Sequence, residues 1–278
     1  MLENSPKIAI VQMNSNHIVD ENLRQLEGLL AKQNSVIDML FLPENFAHMP
    51  RNEQERTACA EQFGQGLIQD FLSHLAQKYQ CWVVAGSVPI LTEKLSNESK
   101  IFQACLVYNA QGQIAKRYDK VHLFDVTLPN GEEYHESRYI EFGDPKQNPT
   151  VKTPWGLLGL SICYDVRFPE FYRAMSDQVF MVSVPAAFTY DSGQAHWQTL
   201  LKARAIENQV FIAAAAQTGE HSNGRKTWGH SALIDPWGKI ISEMGTEQKV
   251  ISTSIDLTYI QQVREQFPCL HHKRTPMQ

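Results

Sequence analysis

Short apolar runs alternate with helical patterns along this chain, and this alternation limits the possible folds more than any other sequence feature. Apolar runs of strand length occupy residues 8–13, 39–42, 82–88 and 102–108 in the first half, and 157–162, 179–184, 210–215 and 231–234 in the second. Apolar residues at helical spacing predict helices over 21–33, 66–79, 169–175 and 195–208. Strands that alternate with helices indicate an α/β layered fold.

Two predicted hairpins refine this architecture. Residues 106–118 contain an Asn-Ala-Gln-Gly turn and residues 232–242 contain an Asp-Pro-Trp-Gly turn, each with the glycine that a type I turn favours at its fourth position. Because a hairpin joins antiparallel strands, a mixed sheet is predicted rather than a purely parallel one. One hairpin falls late in each half, which indicates two similar halves packed together. No linker-like stretch lies between Asn148 and Pro154, so we predict one domain.

Composition and charge narrow the possible functions. The 278 residues are 43% hydrophobic with a net charge of −5, and the densest basic cluster, 271–274, suits a solvated tail better than a nucleic-acid site. No apolar stretch approaches the roughly 20 residues of a membrane span, and the N-terminus lacks a signal-peptide pattern. Five widely spaced cysteines form neither a disulfide framework nor a zinc motif, so we expect a cytoplasmic protein without a metal.

Three side chains that could take part in catalysis follow predicted strands. Cys163 comes directly after the 157–162 run, Glu44 follows a strand that ends at a proline, and Lys120 follows the first hairpin. Taken singly, a buried thiol, a surface acid and a solvated lysine are the commoner interpretations. Together they supply a nucleophile, a base for its proton and a cation for an anionic intermediate. The three residues therefore predict nucleophilic catalysis at the strand ends.

The residues around all three resemble the motifs of the nitrilase superfamily of carbon–nitrogen hydrolases. The resemblance covers about residues 6–270 and rests on 42–44 (LPE), 118–122 (YDKVH) and 161–170 (SICYDVRFPE), in the family's order and at its usual spacing. It implies an α/β fold, a four-layer α-β-β-α sandwich with two mixed β-sheets. It also implies a carbon–nitrogen hydrolase domain over residues 1–270, followed by a C-terminal tail over 271–278.

The resemblance further implies a role for each catalytic residue. Glu44 would take the proton of Cys163, the thiolate would attack an amide carbonyl, and Lys120 would donate to the oxyanion. Water activated by Glu44 would then hydrolyse the thioester acyl-enzyme. The family has a second glutamate on the loop after the lysine, here the long polar loop 127–144. Glu136 matches it best, ahead of Glu132 and Glu133, and would orient Lys120 or the substrate. No cofactor is implied.

The residues after the nucleophile indicate the branch of the family. The stretch 164–170 resembles the amidase branches and lacks the Trp-Glu pair usual in true nitrilases. Stretches at 195–197, 202–208, 215–219, 228–231 and 235–238 are similar to the Nit1-like group, the deaminated glutathione amidases. Their substrate is an α-keto acid amide-linked to Cys-Gly. The ω-amidases, which act on α-ketoglutaramate, are the nearest alternative, and other small amides or N-carbamoyl compounds also stay open.

An anionic amide substrate requires a cation in the pocket. Arg167, four residues after the nucleophile, is the first candidate, and a structural pair with Asp165 or Glu170 is an equal alternative. Further candidates for substrate binding are Tyr164, His196 and Trp197. For the last two, helix capping and core packing are the alternatives.

Other interpretations are weaker. A papain-like pair of Cys163 with His196 or His230 would leave Glu44 and Lys120 without a purpose, and the flanking residues do not match that family. A non-catalytic scaffold conflicts with the intact Cys, Glu and Lys set. Partners are expected to be a small anionic amide and further copies of this chain, since the resemblance implies a homodimer or larger assembly. Neither nucleic acid nor membrane is expected as a partner.

Overall fold

Two mixed β-sheets of six strands each form the centre of the protein in a computed structural model, which describes residues 5–33, 35–92, 100–129 and 131–274. The strands of the first half are β1 (Lys7–Gln12), β2 (Met39–Phe41), β3 (Trp82–Leu91), β4 (Ile101–Tyr108), β5 (Ile114–Asp119), β6 (Asp125–Thr127) and β7 (Glu133–His135). Those of the second half are β8 (Thr150–Thr153), β9 (Gly156–Leu160), β10 (Val179–Ser183), β11 (Phe211–Ala214), β12 (Thr218–Glu220), β13 (Lys226–Trp228), β14 (Ala232–Ile234), β15 (Ile240–Glu243) and β16 (Lys249–Ser254). The helices are α1 (Val19–Leu30), α2 (Glu53–Ala58), α3 (Leu67–Tyr79), α4 (Pro169–Met175), α5 (Tyr190–Asn208) and α6 (Thr258–Gln266), with 3-10 helices at Glu136–Arg138, Cys163–Arg167 and Cys269–His272.

The two large sheets repeat one arrangement. Their strand orders are β16-β1-β2-β3-β4-β5 and β15-β14-β11-β10-β9-β8. Each has three neighbouring parallel strands, β1 to β3 in one and β9 to β11 in the other. Two antiparallel strands follow on one side and one on the other. The predictions of mixed sheets, two late hairpins and two similar halves are confirmed.

The alternation of side chains along β1 shows how the layers form. Ile8 and Ile10 join the apolar cluster shared with the second sheet, whereas Ala9 and Val11 join the cluster under α1 and α3. A strand with both faces covered requires this period of two. On the other side, Trp197, Leu201 and other apolar residues of α4 and α5 pack onto the second sheet. The layers are therefore helix, sheet, sheet and helix, as predicted.

The elements outside the predicted set are short or polar. α2 has six residues, and the strands of the β6–β7 and β12–β13 hairpins have three each, which is too short for a periodic pattern. α5 begins at Tyr190, before the predicted start at residue 195, because its first turn is polar and hides the apolar spacing. Within the described ranges, no helix combines the length and apolar character needed to cross a membrane.

Candidate active site

Three chain segments converge between the two sheets. Glu44 follows β2, Lys120 follows β5, and Cys163 follows β9 as the first residue of a 3-10 helix. Their relative exposures are 3%, 1% and 7%, so all three side chains are buried. The structure thus brings together the three residues that the sequence singled out, from opposite halves of the chain.

The Lys120 ammonium lies between two carboxylates. Its Nζ donates to Glu44 Oε1 at 2.9 Å and to both oxygens of Glu136, at 2.8 and 2.9 Å. Glu136 Oε2 also accepts from the backbone N–H of Phe124 at 2.6 Å, which fixes its position. The two weaker candidates have other partners, since Glu132 accepts from Tyr134 and Glu133, which lines the cavity, pairs with His135. Glu136 is therefore the loop glutamate that contacts the lysine.

The thiol of Cys163 lies beside the Glu44 carboxylate and the backbone N–H of Ala187. The same N–H donates to Glu44 Oε2 at 2.9 Å, so Glu44 is held at both oxygens. Cys163 has a φ of 47°, in the left-handed region that residues other than glycine rarely adopt. Its own N–H donates to Pro185 O at 2.7 Å. A strained backbone at a nucleophile is typical of functional sites, where the surrounding structure holds it in place.

The electrostatics of the cluster keep the thiol neutral and the other two groups charged. Burial and the neighbouring Glu44 raise the pKa of the Cys163 thiol well above its usual value. Burial alone would raise the pKa of Glu44 and lower that of Lys120. Attraction to Lys120 reverses the effect on Glu44, whose pKa is lowered. Attraction to Glu136 and Glu44 reverses the effect on Lys120, whose pKa is raised. A carboxylate is therefore available to take the thiol proton, beside a cation that can stabilise an oxyanion.

A buried aspartate joins the segments that hold the lysine and the nucleophile. Asp165, on the 3-10 helix of Cys163, accepts from Tyr118 Oη at 2.7 Å and from Ile162 N at 2.8 Å. Its other oxygen accepts from His122 N at 3.1 Å and lies 2.7 Å from His122 Nδ1. Tyr118 and His122 flank Lys120, so this side chain sets the distance between lysine and thiol. These contacts explain why the two motifs occur together.

A cavity open to solvent lies over the cluster, the kind of concave site that small molecules occupy. Tyr164 and Arg167 line it, and the Arg167 guanidinium lies 5.1 Å from the ring centre of Phe188 and 5.9 Å from that of Tyr164. Arg167 does not form the alternative structural ion pair with Asp165 or Glu170. Arg167 instead contacts His196 Nδ1 at 3.3 Å.

Two predicted substrate residues lie outside this cavity. Trp197 is buried at 1% exposure, donates to His230 O at 2.9 Å and packs on Phe188, so it supports the cavity wall from behind. The core-packing alternative is correct for this residue, because its helical spacing placed it on the inner face of α5. His196 is exposed on the same helix and reaches the site only through Arg167. Neither residue belongs to the cavity lining.

Sequence reasoning missed Ala187, Phe188 and Arg225, which line the cavity. Ala187 acts through its backbone, and Arg225 lies in the β12–β13 hairpin, where no pattern predicted an element. Among the described residues, no group of three or more His, Cys, Asp or Glu side chains is arranged to hold a metal ion.

The floor of the cavity carries a buried thiol, a carboxylate and an ammonium group, within an α-β-β-α sandwich. These are the groups that a hydrolase with a sulfur nucleophile requires. The profile of the carbon–nitrogen hydrolase family matches residues 7–265. The chain belongs to this family, within the nitrilase superfamily, and is a hydrolase of carbon–nitrogen bonds.

Curated relatives and solved structures agree with this assignment. The chain is 38% identical over 270 residues to a deaminated glutathione amidase of Yersinia enterocolitica, covering 96% of this chain and 92% of the relative. It is 40% identical over 269 residues to the protein of the same name from Synechocystis, covering 95% and 97%. Saccharomyces cerevisiae Nit3, described as a member of branch 10 of the nitrilase superfamily, superposes with a TM-score of 0.82 at 28% identity, covering 95% of this chain and 94% of that one.

Proposed function

We propose that this protein hydrolyses the amide bond of deaminated glutathione and releases α-ketoglutarate and Cys-Gly, a metabolite repair reaction. The observation that carries the proposal is the cluster of Cys163, Glu44, Lys120 and Glu136 at the floor of a cavity whose wall presents Arg167. The substrate is taken from the relatives, which are named for this activity. Arg167 would bind the carboxylate of the α-keto acid.

In the first half-reaction, Glu44 takes the proton of Cys163 Sγ while Sγ attacks the amide carbonyl carbon. The carbonyl oxygen becomes negative and accepts from Lys120 Nζ, which exchanges one of its two contacts with the Glu136 oxygens for this one. Because the N–H of Cys163 is bonded to Pro185, the backbone donor to this oxygen would be Tyr164, near the start of the 3-10 helix.

The leaving nitrogen then takes the proton from Glu44, the carbon–nitrogen bond breaks, and Cys-Gly departs to leave a thioester. In the second half-reaction, Glu44 accepts a proton from a water molecule while the oxygen of that water attacks the thioester carbonyl carbon. The carbon–sulfur bond breaks, the proton returns from Glu44 to Sγ, and α-ketoglutarate is released. Glu136 would hold Lys120 in place throughout, and one carboxylate acts alternately as base and acid.

The test is a product assay by mass spectrometry on deaminated glutathione and α-ketoglutaramate. Release of Cys-Gly from the first, much faster than release of ammonia from the second, is expected. The reverse preference would make the enzyme an ω-amidase. If neither compound is hydrolysed, the proposed substrate is wrong. The C163A variant is the control, because turnover that persists in it would overturn the mechanism.

We further propose that the protein is a homodimer or larger homo-oligomer. Trp237 and Phe267 are 58% and 55% exposed with ring centres 5.7 Å apart, and Ile206 beside them is 52% exposed. Exposed apolar residues in such a group mark an interaction surface. Light scattering is expected to give a multiple of the 31.7 kDa chain mass, and a monomeric mass would contradict the proposal.

A cytoplasmic location and the division into a domain over 1–270 and a tail over 271–278 are also proposals. Five free cysteines support the first, since unpaired thiols suit a reducing compartment. In the described part of the tail, Lys273 pairs with Asp177 of the same chain at 2.9 Å, while residues 275–278 lie outside the described residues.

A further inference from the structure

A second cation lies where the cavity opens outward, and the proposed mechanism does not use it. Arg225 lines the cavity together with Glu44, Lys120 and Cys163, and it also lines an outer recess beyond them. Its Nη2 donates to Ala187 O, and its guanidinium lies 5.4 Å from the ring centre of Tyr134. It therefore marks the junction between the reaction centre and the recess outside.

The backbone around Arg225 fixes its position. Its N–H donates to Asn223 Oδ1 at 2.9 Å, and its carbonyl accepts from His221 N at 2.9 Å, which closes the turn of the β12–β13 hairpin. Asn223 in turn donates to Pro50 O at 2.9 Å and ties this turn to the segment before α2. A side chain held in this way can act as a preorganised binding group.

Arg225 has a donor without an acceptor and forms no ion pair among the described residues, although its charge adds to that of Lys120 in lowering the Glu44 pKa. The described ion pairs include none to Arg225, and the nearby Glu133 pairs with His135. Its Nε is buried and has no acceptor among the described residues. An unsatisfied buried donor on a cation is costly and calls for a partner, and a carboxylate is the group that a guanidinium binds best.

Ala187 connects Arg225 to Glu44, the residue that faces the leaving group in the proposed reaction. Ala187 accepts from Arg225 through its carbonyl and donates to Glu44 through its N–H. In the proposed reaction Glu44 protonates the leaving nitrogen, so the leaving group must lie on Glu44's side. Arg167 belongs to the 3-10 helix that begins at the nucleophile, on the acyl side.

We propose that Arg225 binds the terminal carboxylate of the Cys-Gly leaving group, and so selects substrates with an anionic dipeptide on the nitrogen. This inference rests on the proposed function. The substrate carries one carboxylate on each side of its scissile amide, and two separate arginines match this charge pattern. An extended Cys-Gly unit spans roughly 7 Å from the scissile nitrogen to its carboxylate, at about 3.5 Å per residue, so the second cation must lie away from the thiol.

The test compares three substrates that differ only on the leaving-group side: deaminated glutathione, its C-terminal glycinamide, and α-ketoglutaramate. Wild-type enzyme is expected to prefer deaminated glutathione over the glycinamide by about 10- to 100-fold in kcat/KM, as a charge-assisted pair provides. In R225Q this preference should fall to about one, through KM and not kcat, and kcat/KM should fall more for deaminated glutathione than for α-ketoglutaramate. R225K should retain an intermediate preference, because it keeps the charge and loses the planar fork.

The matched control is K226Q, on the next residue, whose ammonium pairs with Glu220 at 3.4 Å. It should leave the preference unchanged. An equal loss of kcat/KM on all three substrates in R225Q would overturn the inference, because it would mean that Arg225 only supports Ala187 and Glu44. A carboxylate preference that survives in R225Q would overturn it as well. Failure of the wild type to hydrolyse any of the three would instead overturn the proposed function, and the inference with it.

Discussion

The two halves of the chain build sheets of the same topology but contribute different groups to the site. The first half supplies charge: Glu44, Lys120 and Glu136 form one buried ionic cluster. The second half supplies the nucleophile, Cys163, on a backbone with positive φ, and Arg167 on the same 3-10 helix. Repetition of a fold therefore did not duplicate the chemistry. The site lies where the halves meet, and each half alone lacks something that the reaction requires.

The largest expected effect comes from removing the nucleophile of the second half. In C163A, turnover should fall by about 10⁴-fold or more, because the covalent step is lost. The free energy of unfolding should change by only about 1 kcal/mol, since the charged cluster of the first half is intact. Steady-state kinetics and urea unfolding measure the two quantities. A collapse of stability in this variant would contradict the separation of roles.

Removing the cation of the first half should affect both activity and stability. In K120M, turnover should fall by about 10³-fold, because the oxyanion loses its charged donor. The free energy of unfolding should fall by about 3–5 kcal/mol, because two buried carboxylates remain without a counter-charge. The double variant K120M/E136Q should recover part of this stability and none of the activity. Equal stabilities of the single and double variants would argue against a coupled cluster.

Asp165 tests the link between the halves. Each of its two oxygens accepts from a backbone N–H, and one of them also accepts from Tyr118. The NH2 group of D165N would therefore face an N–H donor in either orientation of the amide. Turnover should fall by about 10- to 100-fold through misplacement of Lys120 relative to the thiol, a geometric effect. Y118F removes a single donor and should have a smaller effect. Wild-type kcat/KM in D165N would show that the two segments hold their positions without it.

The smallest expected effect concerns activity as a function of pH. The lowered pKa of Glu44 keeps this base ionised down to pH values below its usual 4.5, and the raised pKa of Lys120 keeps the ammonium charged. The kcat/KM of the folded enzyme should therefore stay flat between about pH 5 and 8. An acidic limb with an apparent pKa of 6 to 7 in this range, outside the usual carboxyl values, would contradict the charge assignment.

Stability should behave differently over the same range. Burial lowers the pKa of His48 and of His221 to about 4, below the usual 6.5. The unfolded chain therefore binds protons at these positions before the folded chain does, so stability is full above pH 6.5 and declines as the pH falls towards 4. Urea unfolding at pH 7 and pH 5 measures the decline. An unchanged midpoint would mean that these histidines are protonated in the folded state.

The sequence alone predicted most of the fold and of the inner site, for reasons that are physical. Strand periodicity and hairpin turns are local, so they gave the sheets, and Cys163, Glu44 and Lys120 stand at strand ends that the pattern marks. Glu136 needed the family resemblance, because its loop has no periodicity. For Trp197 both pocket lining and core packing stayed open, because helical spacing alone does not say whether the inner face of a helix meets a cavity or a core. Arg225 could not be predicted from the sequence, because its position depends on where a short hairpin lies in the fold.

The contacts that complete the site join residues far apart along the chain. The Lys120–Glu44 pair spans 76 residues, and the Ala187–Glu44 hydrogen bond spans 143. We expect such contacts to form late in folding, since the entropy of long loops must be overcome first. Until then, Cys163 is an ordinary thiol without a base beside it. Recovery of turnover after dilution from urea should therefore follow the slowest spectroscopic phase, which makes the enzyme a reporter of its own completed folding.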